Sequence, residues 1–295
     1  MNLPSDASTY TMSERIDVRA TGAVEPGGNR VPLYSPSGDP PVKFTDSLWN
    51  GIVGIVIDAV GTLIDPRPSV ADVYVASAQR QGLQLDPAEV RQRFARHFRD
   101  DEADDQLGPM VTNEHLEWCR WRRIVSAVLP ELPDPVRGFQ ELWEHFACPE
   151  SWFVYPDVPP ALDLLRSRGV ALCMASNFDA RLRRVVAGFP ALSGLGEAPV
   201  ISSEVGYRKP HPAFYQAACM RLDLPPDRVL CVGDDPENDV LGAGRAGLRA
   251  ILIDRTSACP GNLPRVPGFT ELVEPLGWNG GGAASWTGEN ATAGR

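Results

Sequence analysis

Four places in this sequence carry residues able to do chemistry, and each follows an apolar run. The first is Asp58, delivered by the run from Ile52 to Ile57, with glycines at Gly51 and Gly61 bounding the stretch. A carboxylate there suits a nucleophile or a metal ligand, because open α/β sheets bind ligands beyond the carboxyl ends of their strands. An Asp that only caps a turn would look the same. The second is Ser176-Asn177 followed by Asp179, where a hydroxyl and free backbone amides at a helix start form an anion site, or an ordinary turn and cap. The third is Lys209 in Glu204-Val205-Gly206-Tyr207-Arg208-Lys209-Pro210-His211-Pro212. The chain has two lysines, Lys43 and Lys209, against 26 arginines. A compact ammonium reaches a carboxylate and a phosphoryl oxygen together better than a planar guanidinium does. Chance retention is the competing explanation, and His211 reads as a surface or capping residue. The fourth is Gly233-Asp234-Asp235-Pro236-Glu237-Asn238-Asp239. Asp before Pro is a favoured helix start and acids suit the helix dipole. A cap needs one acid, however, and several carboxylates at a strand end suit Mg²⁺, which takes hard oxygen ligands.

These positions require a repeating scaffold. Periodicity and turn chemistry predict a buried first strand over 52–57, then four consecutive helices over Val70–Gln81, Pro87–Asp101, Asn113–Leu129 and Pro135–Ala147. Asp86-Pro87 and Asp134-Pro135 are start signals for two of them. Alternation then resumes: helix Val158–Arg168, strand Val170–Ala175, helix Ala180–Ala187, strand Val200–Ser203, helix Pro212–Leu222, strand Val229–Val232, helix Glu237–Ala246 and strand Arg249–Ile253. This pattern predicts a doubly wound parallel sheet in an α/β protein, with a helical bundle inserted after the first strand. The expected divisions are a disordered extension over 1–48, a core over 49–68 and 152–275, the insertion over 69–151 and a disordered tail over 276–295. The Pro, Gly and Ser content of the flanks is the basis for the two disordered segments.

The 295 residues are ample for a buried core, and a formal charge of −10 argues against nucleic acid as a partner. A phosphate substrate remains open, since a local field can oppose the net charge. The longest apolar runs are strand-sized, so no membrane partner is expected. The N-terminus lacks a basic region followed by an apolar one, so no secretory leader is expected. Six cysteines without a C-x-x-C pair fit a reduced, cytosolic chain with no disulfide framework or zinc site.

Together these residues resemble the haloacid dehalogenase-like hydrolase superfamily over roughly residues 50–255. Asp58-Ala59-Val60-Gly61-Thr62-Leu63 matches its first motif, Ser176-Asn177 its second, Lys209 before proline its third, and Gly-Asp-x-x-x-Asn-Asp its fourth. The resemblance implies a Rossmann-like core, with the insertion acting as the helical cap of the subfamily whose cap follows the first motif. It further implies that Asp58 attacks phosphorus to form an aspartyl-phosphate, with Ser176 and the amide of Asn177 holding phosphoryl oxygens. Lys209 would stabilise negative charge, and Thr62 would buttress the first loop. Mg²⁺ would be held by Asp58, the carbonyl of Val60 and Asp234, with Asp239 direct or through water. The substrate would be a small phosphorylated metabolite. Trp118, Arg120, Trp121, Arg122 and Arg123 are candidates for lining the cap, with core packing and a solvated basic face as competing explanations.

Val60 departs from the pattern. Phosphatases of the family usually carry a second Asp two residues after the nucleophile, which protonates the leaving alkoxide and later activates water. Losing a general acid-base costs roughly 10²–10⁴-fold. Three readings follow. One is a metal-dependent phosphatase restricted to good leaving groups or borrowing its acid. Another is a non-catalytic phosphate-metabolite binding or regulatory module. The third is a metal-independent 2-haloacid dehalogenase, against which Asp234 speaks, since those enzymes typically lack a carboxylate there.

Overall fold

The computed structural model describes residues 48–196 and 198–277. The expected disordered flanks lie outside these residues except at their inner ends. Leu48, assigned to the extension, is buried in the core, and 274–276 form a short 3₁₀ turn.

In chain order, β1 (Gly54–Ile57) leads to a short β2 (Ile64–Pro66). Four helices come next: α1 (Val70–Arg80), α2 (Pro87–Leu107), α3 (Glu114–Val128) and α4 (Pro135–His145). The chain returns through β3 (Trp152–Val154), antiparallel to β2. After α5 (Val158–Ser167), β4 (Ala171–Ser176), α6 (Arg181–Ala187) and β5 (Val200–Ile201) follow. Then come α7 (Ser202–Val205), α8 (Pro212–Leu222), β6 (Val229–Gly233) and a π-helical turn over Pro236–Leu241. The described residues close with α9 (Gly242–Arg245), β7 (Arg249–Ile253), β8 (Arg265–Val266) and α10 (Phe269–Val273).

Six strands form one parallel sheet in the order β5-β4-β1-β6-β7-β8. Alternation along β1 sends Ile55 and Ile57 to one face and Val56 to the other. The first face packs on α5, α6 and α10, and the second on α8, so both sides of the sheet are covered. This is the expected doubly wound α/β core. Chain order reverses around β1, which places a crevice at the carboxyl ends of β1, β4 and β6. The four helices between β2 and β3 have an apolar core of their own, built on Tyr74, Val90, Ile124, Val128 and Phe139.

Three elements differ from their predicted bounds. Helix α2 runs six residues past Asp101, because its acidic C-terminal end, unfavourable to the helix dipole, is neutralised from outside. Asp101 pairs with Arg120 and Arg123, and Asp105 with Arg208. The strand predicted over 200–203 stops at Ile201. Ser202 Oγ donates to the Phe178 carbonyl at 3.0 Å, and the chain turns helical until Gly206, whose φ of +91° only glycine adopts readily. The helix predicted over 237–246 begins instead as the π turn. Asp235 caps it, accepting from the amides of Glu237 and Asn238 at 2.8 and 2.9 Å. The two-stranded β2–β3 pair, β8 and α10 were not predicted.

Candidate active site

Asp58 leaves the end of β1 with its amide bonded to the Val232 carbonyl at 2.8 Å, so β6 sets its position. The following turn wraps the Ala59 carbonyl, which accepts from the amides of Leu63 and Ile64 at 2.8 and 2.9 Å. Gly61 sits at φ +83°, and a Cβ there would lie 2.5 Å from an Asp234 carboxylate oxygen. Glycine is needed on both counts. Fully buried Thr62 donates its hydroxyl to Asp234 at 3.3 Å, and the Thr62 carbonyl accepts from Arg255 at 3.0 Å. The first loop is thus tied to the acidic turn from one side and to β7's end from the other.

The Lys209 ammonium, buried beneath the crevice, donates to Asp58 Oδ1 and Asp239 Oδ1, both at 2.7 Å. Burial pulls its pKa down, but Asp239 and Asp58 more than offset this and hold it well above the ordinary lysine value. Burial is also the main influence on Asp239. It raises that carboxyl to about 6 against the pull of Lys209, with Asp58 adding to the rise. The other Asp239 oxygen accepts from the Asp235 amide at 3.0 Å, so both of its oxygens are engaged in holding the lysine and the turn. Asn177 fixes the lysine's backbone reciprocally, accepting from the Lys209 amide at 2.7 Å and donating to its carbonyl at 3.0 Å. Ser176, the last residue of β4, lies buried beside it. His211 is the cap of α8, its Nδ1 accepting from the Ala213 amide at 3.2 Å.

The fold therefore gathers Asp58, Thr62, Ser176, Asn177, Lys209, Asp234 and Asp239 at adjoining strand ends. Oxygens of Asp58, Asp234 and Asp239 all lie within 4.8 Å of one another. Three hard oxygen donors around one point, with Lys209 offsetting part of their charge, fit a small divalent cation.

Val60 adds no carboxylate to this cluster. With Tyr74, Phe98, Trp121, Phe178 and other apolar residues it lines a cavity of about 100 Å³ between the strand ends and the inserted helices. Of the candidates on α3, only Trp121 lines it. Trp118 packs on Phe139, Arg122 lies over Trp118, and Arg120 and Arg123 bind Asp101. The sequence did carry a signal for this wall, in that Phe94 and Phe98 are four apart on α2 and stack at 5.6 Å. A second contact went unforeseen. Arg208, beside the lysine, pairs with Glu117 and with Asp105 at 2.9 Å. Its amide donates to the Met110 carbonyl at 2.9 Å, while the Thr112 amide donates to Gly206 at 3.0 Å. The insertion is thereby fastened to the Lys209 loop. No local periodicity announces a pairing between residues 91 positions apart.

A carboxylate at the end of β1, a buried lysine and an acidic turn thus meet on a doubly wound sheet. Residues 52–247 match the haloacid dehalogenase-like hydrolase model, and the chain belongs to that family. Within it, the chain is similar to the haloacid dehalogenase-like hydrolase domain-containing protein 3 of Danio rerio. The two are 29% identical over 209 residues, covering 68% of this chain and 84% of the fish protein. The phosphoserine phosphatase of Thermus thermophilus is 35% identical over 134 residues, covering 45% of this chain and 54% of that one. Among solved structures, the L-2-haloacid dehalogenase RSc1362 superposes with a TM-score of 0.61 at 22% identity, covering 76% of this chain and 97% of that one, a likeness of fold. Among the described residues no helix is long and apolar enough to cross a membrane.

Proposed function

We propose that this hydrolase is a Mg²⁺-dependent phosphatase acting on a small phosphate monoester with a good leaving group. The observation that carries the reading is Asp234, a carboxylate set within reach of Asp58 and Asp239 where a dehalogenase has no use for one. The relative named as a phosphoserine phosphatase supports the same direction. Asp58 and Asp234 would hold Mg²⁺ together with the Val60 carbonyl, with Asp239 acting through water because its oxygens are engaged. The ion, when bound, supplies positive charge against the phosphoryl oxygens.

Asp58 forms a bond from its free carboxylate oxygen to phosphorus as the bond from phosphorus to the ester oxygen breaks, and the leaving group departs with that electron pair. Lys209, already bonded to Asp58 at 2.7 Å, orients the nucleophile and meets the charge on the transferred group. Ser176 and the Asn177 amide hold phosphoryl oxygens, and preorganised donors of this kind carry much of phosphoryl-transfer catalysis. Water then attacks phosphorus as the bond from phosphorus to Asp58 breaks, which returns Asp58 as a carboxylate, the good leaving group of a mixed anhydride. The proton of the attacking water passes to an oxygen of the released phosphate or to solvent. Val60 neither donates a proton in the first step nor accepts one in the second. The inserted helices cover the substrate and limit water.

The experiment is a panel of phosphate esters with and without Mg²⁺, run beside a 2-haloacid. Mg²⁺-dependent release of phosphate is expected. Halide release without metal would replace this reading with the dehalogenase, and phosphate binding without any turnover would replace it with a binding module.

A further inference from the structure

We propose that the cavity beside Val60 receives an aromatic ring, so that the substrate is an aryl phosphate monoester. The inference rests on the phosphatase reading and names its substrate class. The cavity is bounded on the strand-end side by Val60, Asn177 and Phe178, and across from them by Tyr74, Phe98 and Trp121 of the inserted helices. It therefore shares Val60, two residues after Asp58, and Asn177 with the strand ends that carry the carboxylates.

Asn177 and Arg181, the amide and the one charged group that reach this wall, are already committed. The Asn177 side-chain carboxamide is bonded both ways to the Lys209 backbone. Arg181 gives Nε and Nη2 to the two oxygens of Asp179, both at 2.7 Å, and Nη1 to the Trp143 carbonyl at 3.2 Å, with Cζ 3.3 Å from the Trp143 ring centroid. Its charge is matched by the fully buried Asp179, so it is a poor receptor for a substrate carboxylate. Burial keeps the Tyr74 phenol neutral, its pKa pushed far up. A sugar, or an amino acid with its ammonium and carboxylate, would lose water here and find few partners, a loss that discriminates strongly. An aromatic ring loses nothing and gains edge and face contacts with Phe98, Trp121 and Phe178. The volume agrees: a dry cavity of about 150 Å³ holds benzene, and about 100 Å³ is of the same order.

The chemistry of Val60 leads to the same class by a separate route. A phenol titrates near 10, whereas water and simple alcohols titrate several units higher. A phenoxide leaves phosphorus unprotonated far more readily than an alkoxide, so the missing acid matters least for aryl esters.

The test uses the full chain with Mg²⁺ and five probes for the wild type, phenyl phosphate, benzyl phosphate, acetyl phosphate, glucose 6-phosphate and phosphoserine, with 1-naphthyl phosphate added for one variant. Benzyl phosphate, with the ring but a poor leaving group, should compete with phenyl phosphate at an inhibition constant within about threefold of the phenyl KM while turning over at least tenfold more slowly. Glucose 6-phosphate and phosphoserine should bind at least tenfold more weakly than either. Val70→Phe, which fills the cavity from α1, should raise the phenyl phosphate KM at least tenfold relative to that for acetyl phosphate in the same preparation. Phe98→Leu, which enlarges it, should shift preference toward 1-naphthyl phosphate. Glucose 6-phosphate or phosphoserine binding as well as phenyl phosphate overturns the proposal. Acetyl phosphate turnover without any aromatic preference overturns it while leaving the phosphatase reading in place. Failure to hydrolyse any of the five, acetyl phosphate included, overturns both.

Discussion

Lys209 is held by two carboxylates and by the backbone bonds of Asn177, in a slot with almost no exposure. A guanidinium is larger and planar, and entering that slot it would displace Asp58 or Asp239. Lys209→Arg should therefore lower turnover at least tenfold with an unchanged far-UV spectrum; an active variant would mean that the rarity of lysine here is an accident. Val60 makes the opposite experiment possible. An acid restored at this position matters most where the leaving group is poor. Val60→Asp should raise the rates on alkyl phosphates and narrow the gap to aryl phosphates. The new carboxylate meets an apolar wall, so stability is to be measured beside rate, and a loss on the order of 1–3 kcal/mol is expected. Equal alkyl and aryl rates in the wild type would mean that another residue supplies the proton.

The contact between the insertion and the lysine loop turns on Glu117. It accepts from Thr112 Oγ at 2.7 Å and from Arg208, and both charges of the Glu117–Arg208 pair are nearly sealed from water. Burial alone would raise the Glu117 carboxyl, but Arg208 and Arg120 overcome it and hold the pKa below its ordinary value. Glu117→Gln keeps the shape and removes the countercharge. Breaking a buried pair from one side costs about 3–5 kcal/mol, and the lower end is expected because Asp105 still faces Arg208. Urea denaturation at pH 7 reads this directly. A carboxyl lowered on folding contributes fully above its unfolded pKa of about 4.3 and loses that contribution as pH falls through the folded value. The gap between wild type and variant should therefore persist at neutral pH and close below about pH 4. A gap that grows in acid would contradict the assigned sign.

For the molecule as a whole, the three carboxylates converge only when β1 and β6 are paired, so a cation bound among them stabilises the folded state alone. At a hundredfold its Kd, Mg²⁺ should contribute about 2.7 kcal/mol. At about 2–4 °C per kcal/mol for a domain of 150–250 residues, the melting temperature should rise by about 5–10 °C. Asp234→Asn should abolish the rise, and an undiminished rise in that variant would place the ion elsewhere. The strands, most helix starts and the order of the reactive residues were legible from local chemistry: apolar runs make buried strands, and Asp-Pro pairs start helices at Pro87 and Pro135. Asp58, Lys209 and Asp234 were legible as candidates because each follows a strand or sits where its residue type is scarce. Local chemistry could not place Asp239 on Lys209, since that depends on a π turn closed by Asp235. Nor could it turn Val60 into the wall of an aromatic cavity or carry α2 past its acidic end, because the partners of both are distant in sequence. Strand and helix follow from neighbours a few residues apart, whereas charge pairing and cavity shape belong to side chains that only the packed chain brings together.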